Sequence, residues 1–258
     1  MKIFDLHNDA VTDFEQTEQF ISYNNSLDVE TNVIFAIWST RLSLDEFSSL
    51  LQIVKENKLN YAVEDCDLIS GCPKILEEYK PKYCSLTWNY DNSLAGGAIG
   101  QGRLTCKGVE FIERLNVGKI AVDLSHIGSA SFDDVLKRAD KTLISHCGIE
   151  IGNGLPRTPD RKQVESVIRR GGIIGATFVP QFYTDPSIDG FVNNVVDFIK
   201  NYGDDNLAIG SDFYGCNPIE GLNDYGSLPV LVEKLQSAGV SDCSISKILY
   251  LNAEKFFS

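Results

Sequence analysis

Eight short apolar runs constrain this chain more than any other feature. They fall at residues 3–6, 32–39, 60–63, 84–87, 119–124, 142–145, 172–178 and 207–210, several of them rich in β-branched residues. Stretches with helical spacing alternate with them, at residues 43–58, 107–116, 131–139, 160–170 and 191–202, and the tail 228–258 reads as two more helices. Phe47, Leu50, Leu51 and Val54 share one face of the first helix, Ser43 and Thr105 sit at N-cap positions, and Gly203 closes the helix before it. Parallel strands need crossover connections, so this alternation predicts an α/β fold with a parallel sheet. Eight units predict a closed (β/α)8 barrel, one domain over residues 1–258; an open doubly wound sheet is the runner-up. No GxGxxG or GxxxxGK[ST] follows a strand, which leaves dinucleotide and P-loop readings without their signature.

Charge narrows the partners. Lys and Arg number 23 against 36 Asp and Glu, a net charge of −13 that repels phosphate backbones and anionic lipid while favouring cations. The opening Met1-Lys2-Ile3-Phe4-Asp5 does not read as a signal peptide, and no transmembrane run is visible. Seven scattered cysteines, with no CxxC pair, read as reduced thiols rather than a disulfide framework, which predicts a cytoplasmic protein.

The chemistry lies where the apolar runs stop. The chain has three histidines, and each follows a predicted strand: His7, His126 and His146. Glu64 and Asp212 occupy matching places, and Asp9 stands two residues after His7, the spacing that puts two side chains of a strand on one side. In a parallel barrel these are the C-terminal strand ends, where active sites form. Imidazoles and carboxylates together suit zinc or a similar divalent ion. A lone strand-end histidine is more often simply hydrogen-bonded; it is the set that points to metal. Asp160 reads as the N-cap of the next helix, Asp123 as an acid that orients a neighbour, and Cys147 and Cys216 as small buried thiols.

The order of these residues resembles that of the membrane dipeptidase (renal dipeptidase) family of zinc peptidases, in its short bacterial form. Asp5-Leu6-His7-Asn8-Asp9 is similar to the family's D-G-H-N-D opening, and Leu86-Thr87-Trp88-Asn89 with Gly96-Gly97-Ala98 to its L-T-W-N…A-G-G-A segment. Gly118 through His126 resembles G-x-x-x-D-x-S-H, with one residue more between Gly118 and Asp123. Ile144-Ser145-His146, Pro156-Arg157 through Asp160, Gly171 through Gly175 and Ile209-Gly210-Ser211-Asp212-Phe213 follow in order, and the likeness runs from Ile3 to Asn252.

The resemblance implies a zinc-dependent dipeptidase with two ions per chain. His7 and Asp9 would bind one ion, His126 and His146 the other, and Glu64 would bridge them, with a hydroxide between the ions as nucleophile. Asp212 would move the proton to the leaving amine, and Arg157 would pair with the free carboxylate of a small dipeptide. Neither nucleic acid nor membrane is expected as a partner, and assembly as a homodimer stays open. Three positions depart from the family: Trp88 replaces the histidine of mammalian members and reads as a substrate-binding pocket wall, Tyr214 stands where a second Asp is common, and Asp65 where Gly is usual. Two alternatives remain, a related amidohydrolase acting on another small amide or lactone, and a non-catalytic metal-binding member.

Overall fold

The computed structural model describes residues 1–12, 18–20 and 27–258. Eight parallel strands pair in sequence order: β1 (Lys2–Asn8), β2 (Glu30–Trp38), β3 (Asn60–Glu64), β4 (Tyr83–Ser85), β5 (Ala121–Asp123), β6 (Thr142–Cys147), β7 (Ile173–Ala176) and β8 (Leu207–Ile209). Asp5 of β1 pairs with Ile209 of β8 and closes the barrel. The (β/α)8 expectation holds, and the open doubly wound sheet is ruled out.

The helices begin where their caps are. Ser43 caps α1 (Leu44–Glu56) in a reciprocal box with Glu46, and the buried face is Phe47, Leu50, Leu51 and Val54. Thr105 caps α3 (Cys106–Gly118), and Asp160 caps α5 (Arg161–Arg169) by accepting from the Gln163 N–H. Helix α4 spans Ser129–Arg138, and α6 (Ile188–Tyr202) ends at Gly203 with φ of 80°. The tail holds α7 (Leu228–Ser237), then α8 (Asp242–Ser246) and α9 (Asn252–Phe257), joined by a π-helical turn at Lys247–Leu251. Helix α2 (Pro73–Tyr79) was not expected. Seven residues show too little of a 3.6-residue period to stand out, although Pro73 at the first turn is a common helix start.

Two apolar layers hold the barrel, one inside it and one between the strands and the helices, where Phe47, Leu51, Phe111 and Phe198 are buried. Phe4, Leu6, Ile34, Ala62, Tyr83 and Leu143 are among those filling its interior, with Tyr250, Phe256 and Phe257 of the tail packed against them. Phe257 stacks on Phe4 at 5.8 Å, so the tail closes the end of the barrel where β1 starts. Burying each large apolar side chain stabilises the fold by about 1.5–3 kcal/mol.

Strands β1 and β6 are irregular, and the irregularity positions the site. Asp5 pairs with Val33 but Asn8 with Phe35, so β1 carries one extra residue; Ile144 pairs with Ile174 but Cys147 with Ala176, so β6 does too. A bulge breaks the alternation of side chains and re-aims one of them. Leu6 fills the barrel interior, and its neighbour His7 also turns inward, to the hydroxyl of interior Tyr83. The β6 bulge pushes the Ser145 carbonyl towards β7 and β8, where a Cβ on Gly175 or Gly210 would sit 1.9 or 1.8 Å from that oxygen. Glycine is required at both positions by this close approach.

Candidate metal centre

The barrel mouth holds a cavity of about 570 Å³ whose walls include Asp9, Glu64, His126, His146, Arg157 and Asp212. Glu64 ends β3, while His7 and His146 lie on the bulged ends of β1 and β6. Strand β5 stops at Asp123 and β8 at Ile209, so His126 and Asp212 sit in the loops just beyond rather than directly at strand ends. All six predicted metal and proton-transfer residues converge.

Each histidine is held by its Nδ1 and turns Nε2 inward. His7 Nδ1 meets the Tyr83 hydroxyl at 2.8 Å; that hydroxyl donates to the Leu6 carbonyl, so it accepts from the ring. His146 Nδ1 meets the Ser145 hydroxyl at 2.8 Å, which donates to Asp123 Oδ2. His126 Nδ1 lies 2.9 Å from Asn89 Oδ1. A ligand histidine is oriented in this way, with its tautomer fixed by a partner on the far nitrogen. Asp123 also accepts from the Ser125 hydroxyl and the Ser145 N–H, the orienting role its sequence position predicted.

The inward atoms crowd. Nε2 of His126 lies 3.0 Å from Nε2 of His146 and 2.5 Å from Glu64 Oε1. Nε2 of His7 is buried without a hydrogen bond, 3.4 Å from Asp9 Oδ2 and 3.5 Å from Glu64 Oε2. With their ring protons on Nδ1, the Nε2 atoms of His126 and His146 face each other and Glu64 as acceptors, an arrangement a divalent cation would relieve. Two sets have ligand atoms close enough for an ion, His7 with Asp9 and Glu64, and His126 with His146 and Glu64; a third joins His7, His146 and Asp212. Nitrogen and oxygen donors of this kind fit zinc.

Burial and neighbouring charges sort the protonation states. Burial pushes His126 down to about 4, with the Arg157 guanidinium acting in the same sense and Glu64 against it. Burial and His7 hold His146 well below the usual histidine value. Burial disfavours charge on His7 too, but the Tyr83 oxygen and the Asp9 and Glu64 groups outweigh it and lift this ring well above that value. Burial and the nearby Asp9 raise Asp212 well above the carboxylate range, whereas His126 and His7 outweigh burial and hold Glu64 well below it.

Arg157 reaches the mouth from the loop before α5. Its Nε donates to the Ser125 carbonyl at 2.7 Å, Nη2 to the His146 carbonyl at 3.2 Å, and Nη1 lies 2.8 Å from His126 Nδ1. Arg157 and Asp212 both have left-handed backbone, φ 64°, a conformation that non-glycine residues adopt mainly where surrounding contacts impose it.

The departures from the family pattern have structural explanations. Asp65 has φ of 61°, where Gly is at home; its carboxylate is tied down by Thr40 and Asn92, each at 2.7 Å. Tyr214, φ 69°, is exposed at the cavity rim and packs edge-on to Phe20. Trp88 lines the cavity beside Trp38, the two rings 5.1 Å apart. Cys147 is buried, its thiol pushed up to about 12 by that burial, and neither it nor Cys216 is among the candidate ligands found in the described residues.

Sequence reasoning missed Tyr83, Asn89 and Trp38. Tyr83 looks like an ordinary strand residue, and only the closed barrel brings its hydroxyl across to His7. Asn89 was noted as part of a resemblance, with nothing in the sequence to assign it a partner.

A family model described as "Membrane dipeptidase (Peptidase family M19)" matches residues 44–258. An uncharacterized Klebsiella pneumoniae protein encoded in the region 5′ of pqqA is 26% identical over 181 residues, 64% of this chain and 67% of that one. Dipeptidase verJ of Clonostachys rogersoniana is 26% identical over 259 residues, 95% of this chain and 66% of that one. The chain thus spans about two thirds of the length of these relatives. Among solved structures, a metallopeptidase of Rhodobacter sphaeroides, liganded with a phosphinate mimic of the dipeptide L-Ala-D-Ala, superposes with a TM-score of 0.83 at 16% identity, covering 100% of this chain and 98% of that one.

Proposed function

The chain belongs to the membrane dipeptidase family, peptidase family M19, and from that premise we propose that it hydrolyses small dipeptides with a free carboxylate, using two zinc ions. The observation that carries this reading is the meeting of inward Nε2 atoms from His7, His126 and His146 with Glu64 between them. His7 and Asp9 would hold one ion, His126 and His146 the other, and Glu64 belongs to both sets. When bound, the ions supply Lewis acidity, polarising the scissile carbonyl and acidifying a water.

The remaining work falls to the chain's own residues. Asp212, its Oδ1 3.9 Å from His7 Nε2, receives a proton on its carboxylate and returns it to the leaving amine nitrogen. Arg157 donates two of its five N–H groups to the Ser125 and His146 carbonyls, which leaves others for the substrate's carboxylate. The Trp38–Trp88 pair walls the cavity and limits the side chains it admits. Seven free thiols fit the proposal of a cytoplasmic protein.

The test joins elemental analysis of purified protein to hydrolysis assays on L,L and L,D dipeptides, N-acyl amino acids and lactones. The expected result is about two divalent ions per chain and dipeptide hydrolysis that chelation abolishes. His126→Ala and His146→Ala should each lower the metal content. Preference for an N-acyl amino acid or lactone would reassign the substrate to a related amidohydrolase. A metal-loaded protein inert on every substrate would point to a non-catalytic member.

A further inference from the structure

We propose that Asn89 is a positioning residue that fixes His126 as an Nε2 ligand by holding the proton on its Nδ1. The inference rests on His126 being a metal ligand, as proposed above. An in-plane ring nitrogen carries either a hydrogen or a lone pair, so it serves one partner in one sense. Two groups reach Nδ1 of His126, Asn89 Oδ1 at 2.9 Å and Arg157 Nη1 at 2.8 Å, and they demand opposite things. The guanidinium can only donate. If Nδ1 accepted from it, the proton of the neutral ring would move to Nε2 and block that atom as a ligand. The amide oxygen can only accept, which places the proton on Nδ1 and leaves Nε2 with its lone pair facing the cavity.

The surrounding backbone is built to keep Asn89 there. The Thr87 hydroxyl donates to the His126 carbonyl at 3.0 Å, and the Ala98 N–H donates to the same carbonyl at 2.9 Å. The Ile99 N–H donates to the Asn89 carbonyl at 2.8 Å. A Cβ on Gly97 would lie within 2.6 Å of backbone atoms of Trp88, Asn89 and Tyr90, so this glycine lets the two arms of the loop close on each other. The loop from Thr87 to Ile99 is therefore fastened to the His126 backbone while its amide addresses the His126 ring. Tyr83 and Ser145 do the same for His7 and His146, so Asn89 completes a set of three. With the proton on Nδ1, Arg157 Nη1 faces a donor rather than an acceptor, and that N–H is freed for another partner.

The experiment measures Zn²⁺ affinity and stoichiometry by equilibrium dialysis with elemental analysis, on protein whose fold is checked by circular dichroism. Asn89→Leu should weaken one of the two ions by about ten- to hundredfold, the usual range for loss of a ligand's orienting partner, and leave the other unchanged. Asn89→Asp, which keeps an acceptor oxygen, should bind as the parent does. Arg157→Met in the Asn89→Leu background should recover part of the loss, because the competing donor is gone. Parental affinity in Asn89→Leu, or equal loss in the Leu and Asp variants, would overturn the role; Asn89→Ala stands in if the Leu variant does not fold. His126→Ala separates the two ideas. If it loses an ion while Asn89→Leu keeps both, only the role of Asn89 fails, and if it loses none, the ligand assignment fails and this inference with it.

Discussion

Arg157 lies beside His126 at the cavity wall: its Nη1 is 2.8 Å from His126 Nδ1, and Nε of the same guanidinium donates to the carbonyl of the preceding Ser125. The group proposed to grip substrate is thus aligned by the backbone that carries a proposed ligand. Arg157→Met should lower kcat/KM for free dipeptides by about 2 kcal/mol, roughly thirtyfold, the scale of a lost charged hydrogen bond. C-terminally amidated dipeptides should be poor substrates of the parent and little affected by the change. Equal parental rates on free and amidated dipeptides would remove Arg157 from recognition.

Asp212 is separable from assembly of the site. Its backbone is fixed by donation of its N–H to the His7 carbonyl and by acceptance from the Gly215 and Cys216 N–H groups, none of which needs the carboxylate. Asp212→Asn should keep the fold and most of the metal while kcat falls by about a hundredfold or more, the scale for losing a general acid/base. Full activity in this variant would sink the mechanism.

Metal uptake should release protons, and His7 is one source. The surrounding groups lift His7 well above the ordinary value, so in the metal-free protein the ring is charged and must lose a proton before Nε2 can ligate. Apparent affinity should therefore fall as pH drops from neutral into the acid range. His126, at about 4, and His146, lower than usual, are already neutral there and add nothing to this dependence. Zinc titrations by calorimetry in buffers of different ionisation enthalpy will count the protons, and His7→Asn should lower the count; buffer-independent heats at pH 7 would contradict the assignment.

Trp88 is packed between Trp38 and Tyr90, with Arg41 over the far member Trp38 at 5.3 Å. An indole offers one N–H and carries no positive charge, so it cannot stabilise an oxyanion as an imidazolium would. Trp88→Ala should raise kcat/KM for bulky dipeptides relative to Gly and Ala dipeptides, and Trp88→His should retain turnover. An unchanged ratio of bulky to small substrates in folded, metal-loaded Trp88→Ala would show that this ring is not a pocket wall.

The β6 bulge can be tested from its neighbour. Gly175→Ala puts a methyl group against the Ser145 carbonyl and forces strand or bulge to move. A loss of about 1–3 kcal/mol in stability is expected, the range for overpacking, together with reduced zinc affinity as His146 shifts. Chemical denaturation and dialysis read the two effects. Parental values in both would mean that the carbonyl relaxes freely and that the bulge does not position His146.

The eight apolar runs, with Ser43, Thr105 and Asp160 capping helices between them, determined the strand positions, the helix starts and the class of fold. Those signals are local: a hydrophobic period and a capping side chain act within a few residues of themselves. The same runs located His7, Glu64 and His146 at strand ends and brought Asp9, His126 and Asp212 close behind them. Simple alternation, however, would set neighbouring Leu6 and His7 on opposite faces of β1. Their common inward turn was decided by a register shift against β2, a property of two strands rather than one. Tyr83 lies 76 residues from His7 in sequence, Asn89 lies 37 from His126, and each pair meets only because the barrel closes. A hydrogen bond between distant residues leaves no period in the sequence, so the residue types of the candidate site were legible there while the partners of the histidine rings, the crowding around Glu64 and the anchoring of Arg157 belong to the tertiary structure alone.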